Sequence, residues 1–339
     1  MNPHWRSFLE LTEAVFAVDS SELLNFGDAA GELKAAQDKT VLVPLTHLGL
    51  INAQGEDAKI FLHSQFTSDI NHLTAGKAQH SAWCTAKGRM QASFLLWREG
   101  DGYQLALSAD LQEAAQKRLQ MFVLRSKVKL ASLSAQKVIL GLAGPQAEEA
   151  LADAGMPCPT DSMTTQSADE TTVLRLDDGR FILIATNEAV SGLWQKLSIK
   201  ARPAGIPVWR WLDIQAGLPL VTAATREEFV PQMADFEKIG GVSFQKGCYP
   251  GQEIVARAQY LGKVKRHLYR LKAAETLNAG DDLHSPDNPD QTCGKIVSAA
   301  PSPSGGYEAL AVVQSNFAGN LHLGSLTGPS LQAVAVNPS

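Results

Sequence analysis

Residues 246–257 read Lys-Gly-Cys-Tyr-Pro-Gly-Gln-Glu-Ile-Val-Ala-Arg, KGCYPGQEIVAR, and the rest of the chain is best understood outward from them. Gly240, Gly241 and Gly247 precede Cys248, and Gly251 follows it. Glycine admits backbone conformations and close approaches that a side chain forbids, so the spacing predicts a tight, exposed turn carrying the cysteine. Pro250 favours the first turn of a helix containing Glu253, Ile254 and Val255.

The wider window 239–272 is lopsided in charge. Lys246, Arg257, Lys263, Lys265, Arg266, Arg270 and Lys272 stand against the single acidic Glu253. The whole chain has a formal net charge of −5, which argues against a basic surface over the entire molecule and makes this a local field. Such a field can hold a polyanion, an RNA backbone included. For Lys263, Lys265 and Arg266 the competing reading is a solvated barrel surface. The field also bears on Cys248, because the thiolate is the reactive form and neighbouring cations favour it. Cys248 with Lys246 is therefore the candidate reactive centre, against the alternative of a small buried hydrophobe.

The 339 residues exceed what a single hydrophobic core normally organises, so two or three domains are expected. With 45% hydrophobic and 19% charged residues the composition is globular rather than disordered. The opening residues MNPHWRSFLELTEAVF lack a basic segment and a small-residue cleavage site, and Glu10 and Glu13 interrupt their apolar run. No stretch approaches the ~20 apolar residues of a membrane span, so no membrane contact and a cytoplasmic location are expected. Cys84, Cys158, Cys248 and Cys293 show neither CxxC pairing nor zinc-ligand spacing. No resident metal is expected, since a cluster typically needs four thiolates. Cys84 and Cys293 read as structural.

Short helices and antiparallel hairpins alternate over the first two-thirds of the chain, which predicts an α+β fold. A short helix is expected over 57–63. Another follows Tyr103–Leu107, with Asp110 and Glu113 spaced as a capping box and Leu111, Ala115, Leu119 and Phe122 on one stripe. A strand is expected at 127–133, a helix from Pro145 to about Ala154, and a surface loop over 156–170. TVLRL and FILIAT flank Asp177-Asp178-Gly179-Arg180 as a hairpin, with a helix from about Glu188 to Leu197. No GxGxxG or GxxxxGK[ST] element supports a dinucleotide or P-loop site. From His267 the segments HLYRL, CGKIVSAA, EALAVVQ, LHLGS and LQAVAV, parted by turn residues, predict a small antiparallel barrel. The expected divisions are 1–135, an N-terminal α+β domain interleaved with the next; 136–240, a second α+β module; 241–266, the signature loop and helix; and 267–339, the barrel.

KGCYPGQEIVAR resembles the K-G-C-Y-x-G-Q-E signature of the YgfZ family, relatives of the glycine-cleavage aminomethyltransferase, or T-protein. The likeness extends along the chain. THLGLINAQGEDAKIFLHSQFTSDI is similar to the family's N-terminal segment, CTAKGRMQASFLLW to its C-x-A-K-G-K-M region, and WLDIQAGLPLV to its I-E-A-G-x-P segment. The resemblance implies three domains around a central channel, tetrahydrofolate bound there, and a role in maintaining iron–sulfur enzymes, including those that methylthiolate tRNA. It also implies folate contacts at Trp209, at Leu48 where the family has a second tryptophan, and at Gln215 where it has a glutamate. Arg257 and its neighbours become the expected seat of the folate glutamate tail. Read without the family, Trp209, Trp211 and Leu212 form a helical core stripe. If the helix runs through them, Trp209 and Asp213 share one face, and Trp211 and Gln215 another.

Three functions follow for comparison. The resemblance favours a folate-binding accessory protein for iron–sulfur enzymes or their assembly factors. The alternative is a folate-dependent one-carbon transferase or demethylase. Against it, Gly88–Phe94, which matches the region where the aminomethyltransferase carries its catalytic carboxylate, has none, and Asp101 reads as a turn former. A nucleic-acid-binding module rests on the basic residues 257–272 alone.

Overall fold

Thr171–Asp177 and Arg180–Thr186 pair antiparallel about the Asp178-Gly179 turn, with Gly179 at φ +79°. The positive φ is what glycine supplies there. This hairpin supplies the second and third strands of a six-stranded sheet in the computed structural model, which describes residues 1–336 except 19 and 261–263. Lys263, one of the cations of the basic window, lies outside the described residues.

The chain divides into two compact units, each assembled from separate stretches. One comprises Met1–Ala58, Leu73–Gln79 and Leu95–Trp209; the other comprises Lys59–His72, His80–Phe94 and Arg210–Ser339.

In the first unit the six-stranded sheet runs Thr164–Ala168, Thr171–Asp177, Arg180–Thr186, Lys137–Ala143, Val41–Pro44 and Arg202–Pro203, with only the last pair parallel. Leu140, Leu142, Phe181 and Leu183 are buried in one cluster with Trp5, Leu9, Val190 and Trp194 from the helices Pro3–Glu10 and Asn187–Leu197. Gly141 points to the other face, as the two-residue period of a strand requires. A Cβ there would lie 2.4 Å from the Trp209 ring, so the absent side chain is what admits the indole.

Residues 156–170 are not wholly loop: Thr164–Ala168 is an edge strand, paired Thr165↔Leu174. Its threonines suit a half-covered strand, a tendency that the surrounding Pro, Ser and Asp conceal in the sequence. The helix after Gly102–Ser108 spans Ala109–Val123, with Ser108 at the N-cap. Asp110 thus sits in the first turn, where its charge favours the helix dipole, and makes no capping box. Leu111, Ala115 and Leu119 are buried as expected, but Val123 completes the stripe and Phe122 is 45% exposed.

In the second unit Arg266–Ala273, Tyr307–Gln314, Gly294–Pro301, Asp282–His284, Leu321–Leu323 and Ser330–Ala335 close into the antiparallel barrel. Leu271, Leu283, Ile296, Ala309, Ala311 and Val313 fill it, with Cys293 buried among them. Asp282–His284 is too short for its pattern to show in the sequence. None of the helices among the described residues is long and apolar enough to cross a membrane.

Candidate functional site

The helix after Pro250 spans Gln252–Tyr260, with Val255 buried. The turn before it is held at two places. Gly251 has φ +81°, and a Cβ on it would lie 2.4 Å from the Thr85 carbonyl oxygen and 2.7 Å from the Gly88 backbone. Gly88, at φ +71°, in turn admits Ile254, whose Cβ would be 3.0 Å from a Cβ at Gly88. The CTAKGRM and KGCYPGQE segments thus meet backbone to backbone, and both glycines are required by that approach.

Lys246 holds the other side. The sequence sets Lys246 two residues before Cys248 as a cation of the candidate reactive centre, and in the structure its side chain is 7% exposed. Its ammonium donates to the carbonyls of His63, Phe66 and Ser68, at 2.5 Å and 3.1 Å for the latter two. These carbonyls lie at and just beyond the C-terminus of the helix Ala58–Gln65, where carbonyls lack intrahelical partners and a cation is favoured. The ammonium also sits 5.1 Å from the Tyr249 ring centroid. Burial pulls the Lys246 ammonium down to about 8, against the opposing charge of Asp69.

Cys248, between these two anchorages, is a free and exposed cysteine. Cys84 is buried, and burial pushes its thiol up to about 12. Cys293 is also buried.

The residues assigned to folate fall in both units. Leu48 lines a cleft of about 250 Å³ in the first unit, with Trp5, Leu45, Gln112 and Lys137 among its walls. Trp209 is in the same unit but 1% exposed. Its ring is laid against Gly141 and lies 6.0 Å from the Arg180 guanidinium, so it presents no open face. The helix spans Ile206–Gln215, and Trp209 packs as the core-stripe reading has it.

Gln215 lies in the second unit and is engaged at both ends of its amide. It donates to Glu308 at 2.7 Å and accepts from Arg270 at 2.8 Å. Trp211, on the same helical face, donates to Glu308 at 3.4 Å. Glu308 is 4% exposed; burial pushes its carboxyl up, but the bonds from Gln215, Ser302 and Trp211 and the nearby Lys272 outweigh that and hold it below the usual range. Nothing local in EALAVVQ marks Glu308 as a buried hub.

The basic window is therefore thinner than its count. Lys246 is buried, Arg270 is bonded to Gln215, and Lys272 lies 4.0 Å from Glu308. Arg257 and Lys265 remain exposed.

Comparison with known proteins matches this geometry to a family. The chain is 32% identical over 279 residues to the tRNA-modifying protein YgfZ of Escherichia coli O45:K1 (strain S88 / ExPEC), covering 81% of this chain and 85% of that one. It belongs to the YgfZ family. The YgfZ protein of Escherichia coli O81 (strain ED1a) matches with the same identity and coverage. The GCVT N-terminal domain matches residues 16–175. The crystal structure of glycine cleavage system aminomethyltransferase T from Bartonella henselae superposes with a TM-score of 0.82 over 100% of this chain and 97% of its own. At 20% identity that likeness establishes the T-protein fold and no activity. For this YgfZ-family chain, the signature cysteine is thus on an exposed turn fixed on one side by the Lys246 ammonium and on the other by the close backbone approach at Gly251.

Proposed function

We propose that this YgfZ-family chain is a tetrahydrofolate-binding accessory protein that supports assembly or repair of iron–sulfur enzymes, and through them tRNA modification, with Cys248 as its functional thiol. The observation that supports it most is the construction of the Cys248 turn. Thr85 and Gly88 pack against Gly251, and the end of the helix Ala58–Gln65 takes the Lys246 ammonium, on either side of one exposed thiol. A loop built only to connect two elements has no need of a buried ammonium.

For folate, the assigned residues fit unevenly. Leu48 forms one wall of an open cleft whose mixed lining suits a flat ring with polar edges. Trp209 and Gln215 offer no free face or free amide, so they serve as packing and as a link to Glu308. Arg257, exposed on the last turn of its helix, is placed for an anionic tail. Folate when bound would bring a carrier of one-carbon units; this chain's own part is to hold it and to present the thiol. Iron–sulfur proteins or assembly factors are the partners that this reading requires, with tRNA touched only weakly by the exposed cations.

Gly88–Phe94 carries no carboxylate, and Ser93 Oγ is taken up in accepting the Val221 N–H at 2.9 Å. General acid–base help to a folate nitrogen needs a group within hydrogen-bond reach. Purified protein is therefore expected to bind tetrahydrofolate in calorimetry and to leave methylene- and formyl-tetrahydrofolate unchanged. Rapid turnover of either would favour the one-carbon transferase instead.

A further inference from the structure

The helix that follows Cys248 turns one face outward. Gln252–Tyr260 buries Val255, and on the arc away from it Glu253, Ile254, Arg257 and Tyr260 succeed one another at helical spacing. Ile254 is 42% exposed and Tyr260 69%. Tyr260 is set in place, because its ring meets Phe244 edge to face at 6.2 Å. The loop 85–88 brings a cation to the same place. Gly88 admits Ile254, and Lys87 beside it is exposed. We propose that Lys87, Ile254, Arg257 and Tyr260 form the docking surface for a partner protein that presents carboxylates around an apolar recess. This inference rests on the reading of Cys248 as the thiol that the partner must reach.

Chain geometry puts the thiol and this face within one footprint. Cys248 and Ile254 are each three positions from Gly251, so neither Cα lies more than about 11 Å from it. Lys87 adjoins Gly88, whose backbone stands 2.7 Å from the Gly251 Cβ position. Tyr260 is six residues beyond Ile254, about 9 Å along the helix. A protein interface of standard size covers about 800 Å² on each partner, roughly 30 Å across. A partner seated on Ile254 and Tyr260 therefore reaches the exposed thiol without any movement of the chain.

The composition of the face selects its occupant. Tyrosine and arginine are the residues on which protein contacts concentrate their energy, and the isoleucine between them needs an apolar surface to cover it. RNA is met by cations and stacking rings, but Ile254 gives it nothing and the Glu253 carboxylate repels its phosphates. A second copy of this chain in a two-fold contact would set the same cationic patch against itself. The convex side of a helix offers no cavity to a small molecule. In a chain of net charge −5, Lys87 and Arg257 against the single Glu253 make this face attractive to carboxylates. A folate tail held at Arg257 would lie along its rim.

The test is photocrosslinking in living cells, with p-benzoylphenylalanine in place of Ala86, an exposed residue at the edge of the face. The expected result is an adduct to another protein through a peptide rich in Asp and Glu. Tyr260→Ala removes an anchor and should weaken the contact about thirtyfold, abolishing the adduct. Lys87→Glu reverses an exposed charge and should weaken it about tenfold, more at low salt than at high. No adduct, an adduct to RNA or to a second copy of this chain, or one indifferent to both variants would overturn the proposal. Should Tyr260→Ala lower the unfolding midpoint, Lys87→Glu alone decides. The adduct is expected to survive Cys248→Ala. If it does while iron–sulfur enzymes keep full activity in those cells, the face stands and the Cys248 reading falls. If Cys248→Ala abolishes that activity and no adduct forms, the reading stands and the face falls.

Discussion

Lys246→Met is expected to loosen the Cys248 turn and to cost about 2–3 kcal/mol of stability, read from denaturant unfolding. Methionine keeps the apolar stem and removes the charged donor. The carbonyls of His63, Phe66 and Ser68 then lose their partner, each at about 1–3 kcal/mol if it stays dry. Against that, the burial cost of the ammonium disappears, which keeps the net below the sum. Hydrogen exchange should rise at residues 244–251 and at the end of the helix Ala58–Gln65, and remain unchanged in the barrel.

The pH dependence has a definite sign. Lys246 titrates near 8 in the folded chain and at its ordinary 10.5 when unfolded. Below 8 both states hold the proton. Between 8 and 10.5 the unfolded state binds more protons, so this group's contribution to stability rises with pH, by up to about 1.4 kcal/mol per unit. The stability gap between wild type and Lys246→Met should therefore widen over that window. A gap that narrows would contradict the burial assigned to Lys246.

Gly251→Ala is expected to be more damaging, at about 3–5 kcal/mol, with Cys248 no longer held. Two costs combine. An alanine at φ +81° carries about 1–2 kcal/mol of backbone strain. Its Cβ would also stand 2.4 Å from a carbonyl oxygen and 2.7 Å from the Gly88 backbone, and backbone on both sides cannot step aside. Gly240 is the control. It too has a positive φ, +74°, but nothing lies within 4 Å of its Cβ position. Gly240→Ala should lose only the strain. Equal unfolding midpoints for the two variants would contradict the close approach at Gly251.

What could be read beforehand was local. The glycine-rich turn, the helix behind Pro250, the hairpin around Asp178-Gly179 and the barrel all follow from residues within a few positions of one another. What could not be read was which distant group each side chain would find. Lys246 and His63 are 183 positions apart, and Gln215 and Glu308 are 93 apart. A lysine beside a cysteine reads as a cation for the thiol, yet its ammonium is held by three main-chain carbonyls, one at the end of a helix and two just beyond it. An indole on a helix reads equally as a ligand platform or as core, and the missing side chain of Gly141 decides between them.

The most direct measurement is the activity of iron–sulfur enzymes in cells whose copy of this protein carries Cys248→Ala, with the purified variant shown to bind tetrahydrofolate. Cys248 is exposed and in no disulfide, so alanine there is expected to leave the fold intact. The expected result is folate binding retained and enzyme activity lost. Full activity with the alanine in place would contradict the assignment of Cys248 as the functional thiol.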